Sequence, residues 1–215
     1  MDSLILTFNK KQMNLYKELL EKESVALNFD TKLTPIQEYS FDVLDIEVIN
    51  IKTQMVKITK FKKQRAMFSE FSQEQIKVLI PIYYEVIRNI NYSRKILQSE
   101  MISLSCLILS IDKLISDINK KYSAFLPYKA ALYNRDEYSS QILKIDEEFK
   151  ANIKIAENCK KSTLSYFDKM INLSDIISNF FDNSSKASDE PKFKNFNYAD
   201  FFWSVDSFIE QLNNI

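Results

Sequence analysis

The feature that most constrains the fold of this chain is a set of apolar residues spaced alternately three and four positions apart. Such spacing aligns side chains along one face of an α-helix, whereas a half-buried strand requires an alternation of two. Between residues 83 and 125 the spacing is interrupted only at Ser93. This stretch predicts one long helix with a seam of Tyr83, Val86, Ile90, Leu97, Met101, Leu104, Ile108, Ile111, Ile115, Ile118, Tyr122 and Phe125.

A second seam of the same kind follows between residues 138 and 180, and a shorter one precedes both. Each of the two longer seams predicts a helix of about 45 residues, or roughly 65–70 Å at a rise of 1.5 Å per residue. Pro127 and Asn134 indicate a turn between them. The later seam consists of Tyr138, Ile142, Ile145, Phe149, Ile153, Ala156, Cys159, Thr163, Tyr166, Met170, Leu173, Ile177 and Phe180, and the earlier one of Leu44, Val48, Ile51, Met55 and Ile58.

Three pairs of polar residues match the capping box that begins a helix. The pairs are Asn9 with Gln12, Thr34 with Gln37, and Ser72 with Gln75. The first pair predicts a helix over roughly 10–29, and Pro35, at the first helical position, strengthens the second. Pro81 follows the third pair, and we expect it either to kink that helix or to begin it.

These patterns predict an all-α fold class: an elongated antiparallel helical bundle or coiled-coil rod with three long helices and short terminal helices. We expect the bundle to span residues 1–182. The polar segment 183–196, which contains Pro191, has the composition of a linker. Residues 197–215 show an amphipathic pattern that predicts a short C-terminal helix packing on the bundle.

The composition excludes several classes of enzyme. The chain contains neither glycine nor histidine, so it lacks a phosphate-binding loop, a dinucleotide fingerprint, a nucleophile elbow and any imidazole base or ligand. We predict that the protein is not an enzyme and has no catalytic residue, cofactor, metal site or small-molecule substrate. Basic and acidic residues both number 29, and this neutral balance argues against nucleic acid as a partner.

The N-terminal residues lack the basic start and the long apolar run of a signal peptide. We therefore expect a cytoplasmic protein as synthesised, with any release following a non-classical route. Cys106 and Cys159 are expected to form no disulfide. Because Cys159 falls in the later seam, we expect it to be buried as a small apolar residue.

Two groups of residues are candidates for contact with a membrane or a partner. The first is a basic stretch followed by two phenylalanines, and the second is aromatic and lies in the C-terminal helix. Cations near the end of a helix complement its dipole, but a basic rim beside exposed rings also suits an anionic membrane or an acidic protein. The aromatic group either binds a partner or covers the core of the bundle. The candidates are Lys57, Lys60, Lys62, Lys63, Arg65, Phe68 and Phe71 in the first group, and Phe201, Phe202 and Trp203 in the second.

The most apolar segment of the chain is Met101–Ile111. It is shorter than the roughly 20 residues that a membrane-spanning helix requires. Two interpretations are open. Either this part of the helix is buried on several faces, or it is covered in the soluble form and exposed to lipid or a partner after a rearrangement.

The stretch Ile111–Lys150 combines a long helix, a Pro-Tyr turn and a second long helix. In this pattern it resembles the rod of helical pore-forming toxin subunits of the xenorhabdolysin type. The resemblance implies a protein that is soluble until it assembles with its partner subunits and engages a membrane. The membrane-curving BAR rods share the pattern of three long helices, but they present a strongly basic face.

We therefore expect a non-catalytic helical protein that acts by association with a protein partner or as a homo-oligomer. Engagement of a membrane, as a subunit of a multicomponent α-helical pore-forming toxin, is the more specific expectation. The alternative is a soluble protein–protein interaction factor, such as an immunity, scaffold or BAR-like protein, without membrane insertion.

Overall fold

The computed structural model describes residues 9–22, 27–33, 39–65, 72–187 and 198–215. These residues form five α-helices and no strand, which confirms the predicted all-α bundle. The two longest helices pack against each other. The helices are α1 (Lys10–Glu21), α2 (Val43–Arg65), α3 (Gln73–Leu132), α4 (Asp136–Ala187) and α5 (Tyr198–Asn213).

Two of the predicted capping boxes are present. The Asn9 side chain accepts a hydrogen bond from the Gln12 backbone N–H at 2.9 Å, and the Gln12 side chain accepts one from the Asn9 backbone at 3.1 Å. Ser72 and Gln75 make the same reciprocal pair at the start of α3. Both helices thus begin at their predicted capping boxes, and Pro81 does not begin α3, which runs through it. α1 ends at Glu21 and not near residue 29.

Thr34 and Gln37 lie outside the described residues, and α2 begins only at Val43. The prediction of a helix from residue 35 is wrong for residues 39–42, which are not helical. Side-chain contacts explain the late start. The Phe41 ring packs edge-on against Tyr166 at 4.9 Å, and the Tyr39 hydroxyl donates to Glu100.

The turn predicted from Pro127 and Asn134 is confirmed at Asn134 and wrong at Pro127. α3 has 60 residues and continues through Pro127 to Leu132, and the turn lies at residues 133–135. A proline inside a helix leaves the carbonyl four residues earlier without its N–H donor. Here that carbonyl belongs to Ser123, and the Gln12 side-chain amide of α1 donates to it at 2.8 Å. A tertiary contact therefore satisfies the group that Pro127 leaves unpaired.

The chain divides into two compact units. Unit 1 comprises the described residues up to 33 together with Leu107–Thr163, and unit 2 comprises those from 39 to Cys106 together with Leu164–Ile215. α3 and α4 contribute to both.

In unit 1 the core is built from seven-residue repeats. Phe125 and Phe149 are fully buried with ring centroids 5.7 Å apart, and Phe29 meets Phe125 edge-on at 5.1 Å. Every seventh residue of each long helix is buried, as a heptad seam requires. The repeats are Ile111, Ile118, Phe125 and Leu132 in α3, and Ile142, Phe149, Ala156 and Thr163 in α4.

Unit 2 keeps the same seven-residue repeat and adds two further helices. α2 and α5 contact each other, and Phe208 of α5 stacks on Phe180 of α4 with ring centroids 4.3 Å apart. The buried repeats of the long helices are Tyr83, Ile90, Leu97 and Leu104 in α3, and Met170 and Ile177 in α4.

The predicted linker differs from the structure at its start. α4 continues to Ala187, five residues into segment 183–196, and residues 188–197 lie outside the described residues. α5 then begins at Tyr198.

The apolar segment Met101–Ile111 is not buried on several faces. Leu104 and Ile111 are buried, but Ile102 is 68% exposed and Leu109 is 69% exposed. In the described part of the chain, no helix is both long enough and apolar enough to cross a membrane.

Candidate interaction surface

Helix α2 has apolar residues on two opposite faces. The inner face consists of Leu44, Ile51, Met55, Ile58 and Phe61, which are all buried. Ile46, Ile49, Thr53 and Val56 repeat the spacing of three and four residues on the opposite side of the helix. We refer to these four residues as the outer stripe. Ile46 is 51% exposed, Ile49 is 62% exposed and Val56 is 46% exposed.

Charged residues of opposite sign extend the outer stripe at its two ends. Asp42, the residue just before α2, and Asp45, in its first turn, precede the stripe, and Lys60 and Lys63 follow it. Asp45, Lys60 and Lys63 lie on the same side of the helix as the stripe, and the Asp42 carboxylate accepts a hydrogen bond from the Ser40 hydroxyl at 2.6 Å. All four are exposed, and none forms an ion pair with another described residue. Acidic residues at the start of a helix and basic residues at its end favour the helix dipole. The outer stripe is therefore acidic at one end, apolar in the middle and basic at the other.

The other lysines of the predicted basic stretch are used inside unit 2. Lys57 forms an ion pair with Glu85 of α3 at 2.7 Å, and its hydrogen bond lowers the pKa of the Glu85 carboxyl. Lys62 forms an ion pair with Asp206 of α5 at 2.5 Å, and its Nζ lies 5.6 Å from the centroid of the Phe202 ring. Lys57 and Lys62 thus fasten α2 to its neighbours, which leaves Lys60 and Lys63 as the outward lysines.

The Arg65 side chain, Phe68 and Phe71 lie outside the described residues.

The structure separates the three aromatic candidates of α5. Phe201 is fully buried, with its ring 5.5 Å from Tyr83 and 5.2 Å from Phe202. Phe202 is buried as well, so these two rings belong to the core and are not available for contact with a membrane or a partner. Trp203 is 66% exposed. It lies one turn before Asp206 on the same face of the helix.

An inward carboxylate of α2 was missed by the sequence analysis, which placed Val48 and not Glu47 in the seam. Glu47 is buried, and its Oε1 accepts a hydrogen bond from Asn50 at 3.3 Å. Its Oε2, like Nε of Arg94, is buried without a hydrogen-bond partner among the described residues. The Gln54–Asn89 hydrogen bond and the Lys57–Glu85 ion pair together show that α2 runs antiparallel to α3, so Glu47 and Arg94 lie near the same level.

Unit 1 contains a buried carboxylate whose hydrogen bonds are satisfied. Asp146 accepts from Lys150 at 2.7 Å, from Tyr122 at 2.8 Å and from Lys129 at 2.9 Å. Burial opposes its ionisation, but these hydrogen bonds together lower the pKa of Asp146, and burial with the Asp146 contact raises the pKa of Tyr122 to about 12. A carboxylate held in this way is a poor general base, because its proton affinity is low.

An open groove of about 870 Å³ lies between α1 and α3 in unit 1. Its ionisable lining residues, Lys11, Glu18 and Lys120, are exposed. No buried charge fixes a ligand there. Across the described residues, no group of three or more Cys, Asp or Glu side chains lies close enough to hold a metal ion.

The chain was compared with protein-family models, curated proteins and solved structures, and none of them matches it. The class that the structure defines is thus an all-α helical bundle with a second apolar face on one of its helices.

Proposed function

We propose that this chain is a non-catalytic protein that acts by associating with a protein partner through the outer stripe of α2. The observation that carries the proposal is the spacing of Ile46, Ile49 and Val56 on the side of α2 opposite its buried face. A surface helix needs one apolar face to pack on its own core. Single exposed apolar residues are ordinary, whereas an aligned set is typical of an interface.

The charges at the ends of the outer stripe favour a protein as the partner. Asp42 and Asp45 repel an anionic lipid surface, and a bilayer offers no ordered positive charge to match them. A second helix can present apolar residues at the same spacing together with charges of the opposite sign. Such a partner fits an interaction factor of the immunity or scaffold kind.

The residue types of the chain also favour a binding role. The sequence has no histidine and no glycine, and the buried carboxylate of Asp146 is engaged by three donors.

Site-specific photo-crosslinking tests the proposed association. A photo-crosslinking amino acid replaces Ile49 in one variant and Ile102 in the other, and both are expressed in the cells that encode the chain. Ile102 is the matched control because it is an exposed isoleucine of α3, in the same unit. We expect a protein adduct from position 49 and none from position 102. Equal adducts from both positions, or no protein adduct at all, would reject the proposal.

A second candidate function is a membrane-engaging subunit of a multicomponent α-helical pore-forming toxin. It is favoured by the exposure of Trp203, because an indole ring partitions into the membrane interface. The exposed Lys60 and Lys63 suit anionic headgroups. The long helical hairpin of α3 and α4 agrees with the resemblance to the xenorhabdolysin-type rod.

Liposome co-sedimentation tests this second candidate. The chain is mixed with vesicles of phosphatidylcholine alone and with vesicles containing one-third phosphatidylserine. The membrane candidate requires binding to the anionic vesicles that falls roughly tenfold in Trp203→Ser and again in Lys60→Glu/Lys63→Glu. Ile102→Ser, which removes another exposed apolar side chain, is the matched control. If the chain binds neither vesicle, the membrane candidate is rejected while the protein association is untouched.

A further inference from the structure

The order of charges along the outer stripe carries information about the partner. From its first residue to its last the face runs from Asp42 and Asp45 through Ile49 to Lys60 and Lys63. In a second α2 that runs in the opposite direction, the basic end of the stripe lies beside the acidic end of the first. The stripe is therefore complementary in charge to a reversed copy of itself.

We infer that the partner at the outer stripe is a second copy of this chain. The two α2 helices pair antiparallel about a two-fold axis that crosses the outer stripe at the level of residue 51 along the helix. The inference rests on the proposed function and names the partner for it. In this pairing Asp42 of one copy faces Lys60 of the other. Between the charged residues, Ile46 pairs with Val56 and Ile49 pairs with Thr53, whose hydroxyl donates to the Ile49 carbonyl of its own helix at 2.8 Å. In each of the three pairs both residues lie equally far from residue 51.

The spacing of the stripe suits this pairing. Residues that alternate by three and four positions form the seam between two helices that cross at a shallow angle, with each side chain entering a space between residues of its neighbour. The seven-residue repeat of the stripe has two seam positions, a (Ile46 and Thr53) and d (Ile49 and Val56). Each opposed pair places an a residue of one copy against a d residue of the other. Antiparallel helix pairs are built from layers of this kind.

Charge excludes the parallel arrangement. Parallel pairing about the same face would place Asp42 and Asp45 against their own copies, and Lys60 and Lys63 against theirs. Like charges in contact are unfavourable, whereas the antiparallel pairing places Asp42 opposite Lys60 and brings Asp45 and Lys63 within one helical turn of an opposite charge. None of these four residues is engaged in an ion pair among the described residues. A two-fold pairing also closes on itself and leaves no open surface for further copies.

Sedimentation equilibrium of the full chain tests whether the outer stripe mediates self-association. We expect a reversible dimer whose dissociation constant rises by roughly 100-fold in Ile49→Glu, because a charge would be buried at the centre of the stripe. Ile102→Glu places the same charge at an isoleucine of similar exposure on α3 and is expected to change the constant by less than about twofold. A wild-type chain that stays monomeric, or equal losses in the two variants, would overturn the inference.

Charge reversal tests the antiparallel direction. Asp42→Lys/Asp45→Lys and Lys60→Glu/Lys63→Glu are each expected to dimerise about tenfold more weakly alone, since each then opposes like charges. Mixed in equal amounts, they are expected to form a heterodimer with an affinity within about threefold of the wild type. High salt should reduce these differences. If circular dichroism shows that the first variant has lost helix, Asp45→Lys alone takes its place. A mixture that does not recover affinity would contradict antiparallel pairing.

The two proposals fail in different ways. A monomeric chain that still forms an adduct with a different protein from position 49 would overturn the self-association and leave the association function intact. A monomeric chain without any adduct from position 49 would overturn both.

Discussion

One region in each unit of this chain handles charge differently from the other. In unit 1 a charge is enclosed: Asp146 is buried in the core and accepts hydrogen bonds from Tyr122, Lys129 and Lys150. In unit 2 the outer stripe of α2 displays charge, with exposed acidic residues at one end and exposed basic residues at the other. The Asp146 carboxylate is paired with donors of unit 1 itself, and its expected role is in the stability of that unit. The displayed charges are sorted by sign around apolar residues, and the proposed association rests on that order.

The aromatic residues show a similar contrast within unit 2. Phe201 and Phe202 are buried in the core, while the next residue, Trp203, is exposed. Position on the helix, more than residue type, therefore decides which aromatic groups are available for binding.

The largest expected effect sharpens the contrast in α5. Phe201→Ala should lower the free energy of unfolding by about 3–5 kcal/mol, because the buried ring leaves a cavity beside Tyr83 and Phe202. Trp203→Ala, two residues later, should change it by less than about 0.5 kcal/mol. Urea unfolding followed by circular dichroism measures both. Similar losses in the two variants would show that Trp203 is also a core residue.

Removal of the enclosed charge should have the next largest effect. Asp146→Ala leaves Lys129 and Tyr122 partly buried without their acceptor, and we expect a loss of about 2–3 kcal/mol in the free energy of unfolding. The matched control is Asp112→Ala, which breaks the more exposed ion pair with Lys160 in the same unit and should change stability by less than about 1 kcal/mol. Equal effects would mean that the buried network contributes no more than a surface pair.

Acid should remove the contribution of the same carboxylate. The pKa of Asp146 is lower in the folded chain than the ordinary aspartate value of 3.8. Its contribution to stability is therefore present above that value and disappears as the pH falls through the folded pKa. The difference in unfolding free energy between the wild type and Asp146→Asn should therefore be largest near neutral pH and shrink below about pH 4. A difference that is constant from pH 7 to pH 3 would contradict the lowered pKa.

A smaller effect is expected where α1 meets α3. Gln12→Ala removes the donor to the Ser123 carbonyl as well as half of the capping box, and should cost about 1 kcal/mol. In a Pro127→Ala background the helix supplies its own N–H to Ser123, and the same substitution should cost clearly less. The four variants of this cycle, unfolded in urea, give the coupling directly. Additive effects would rule out the link between Gln12 and Pro127.

The smallest effect on stability is expected at the outer stripe. Ile49→Glu should change the unfolding free energy of the dilute monomer by less than about 0.5 kcal/mol, since the side chain is largely exposed there. Measured in urea at low protein concentration, a loss above about 2 kcal/mol would place Ile49 in the core and remove it from the interaction surface.

The sequence predicts the long helices well because apolar residues repeat every seven positions within each helix, and this pattern does not depend on contacts with other helices. Tyr83, Ile90 and Leu97 are buried as expected, and Ser93 is buried within the same seam. Local capping chemistry likewise places the starts of α1 and α3. Both signals depend on residues close together in the chain, and for that reason they can be read from the sequence.

The errors arise where tertiary contacts override local preference. α3 continues through Pro127, where Gln12 of α1 supplies a donor to the Ser123 carbonyl. Cys159 is exposed and not part of the seam, since the repeat of α4 passes through Ala156 and Thr163. Neither outcome follows from the local pattern.

The outer stripe itself was missed, although its signal is present in the sequence. Ile46, Ile49, Thr53 and Val56 repeat by three and four just as the inner seam of α2 does, and a search for a second seam on the same helix would have found it. The engagement of Lys57 and Lys62 in ion pairs depends on α3 and α5 and was not accessible in this way.

Chemical cross-linking at the outer stripe tests the central claim most directly. In a chain with Cys106→Ser and Cys159→Ser, single substitutions Thr53→Cys and Lys60→Cys are treated with a short bismaleimide. In the antiparallel pair the two copies of residue 53 are offset along the helix by about 6 Å, and those of residue 60 by about 27 Å, at 1.5 Å per residue. The account predicts a cross-linked dimer from Thr53→Cys and none from Lys60→Cys. Equal cross-linking at both positions, or none at Thr53→Cys, would contradict it.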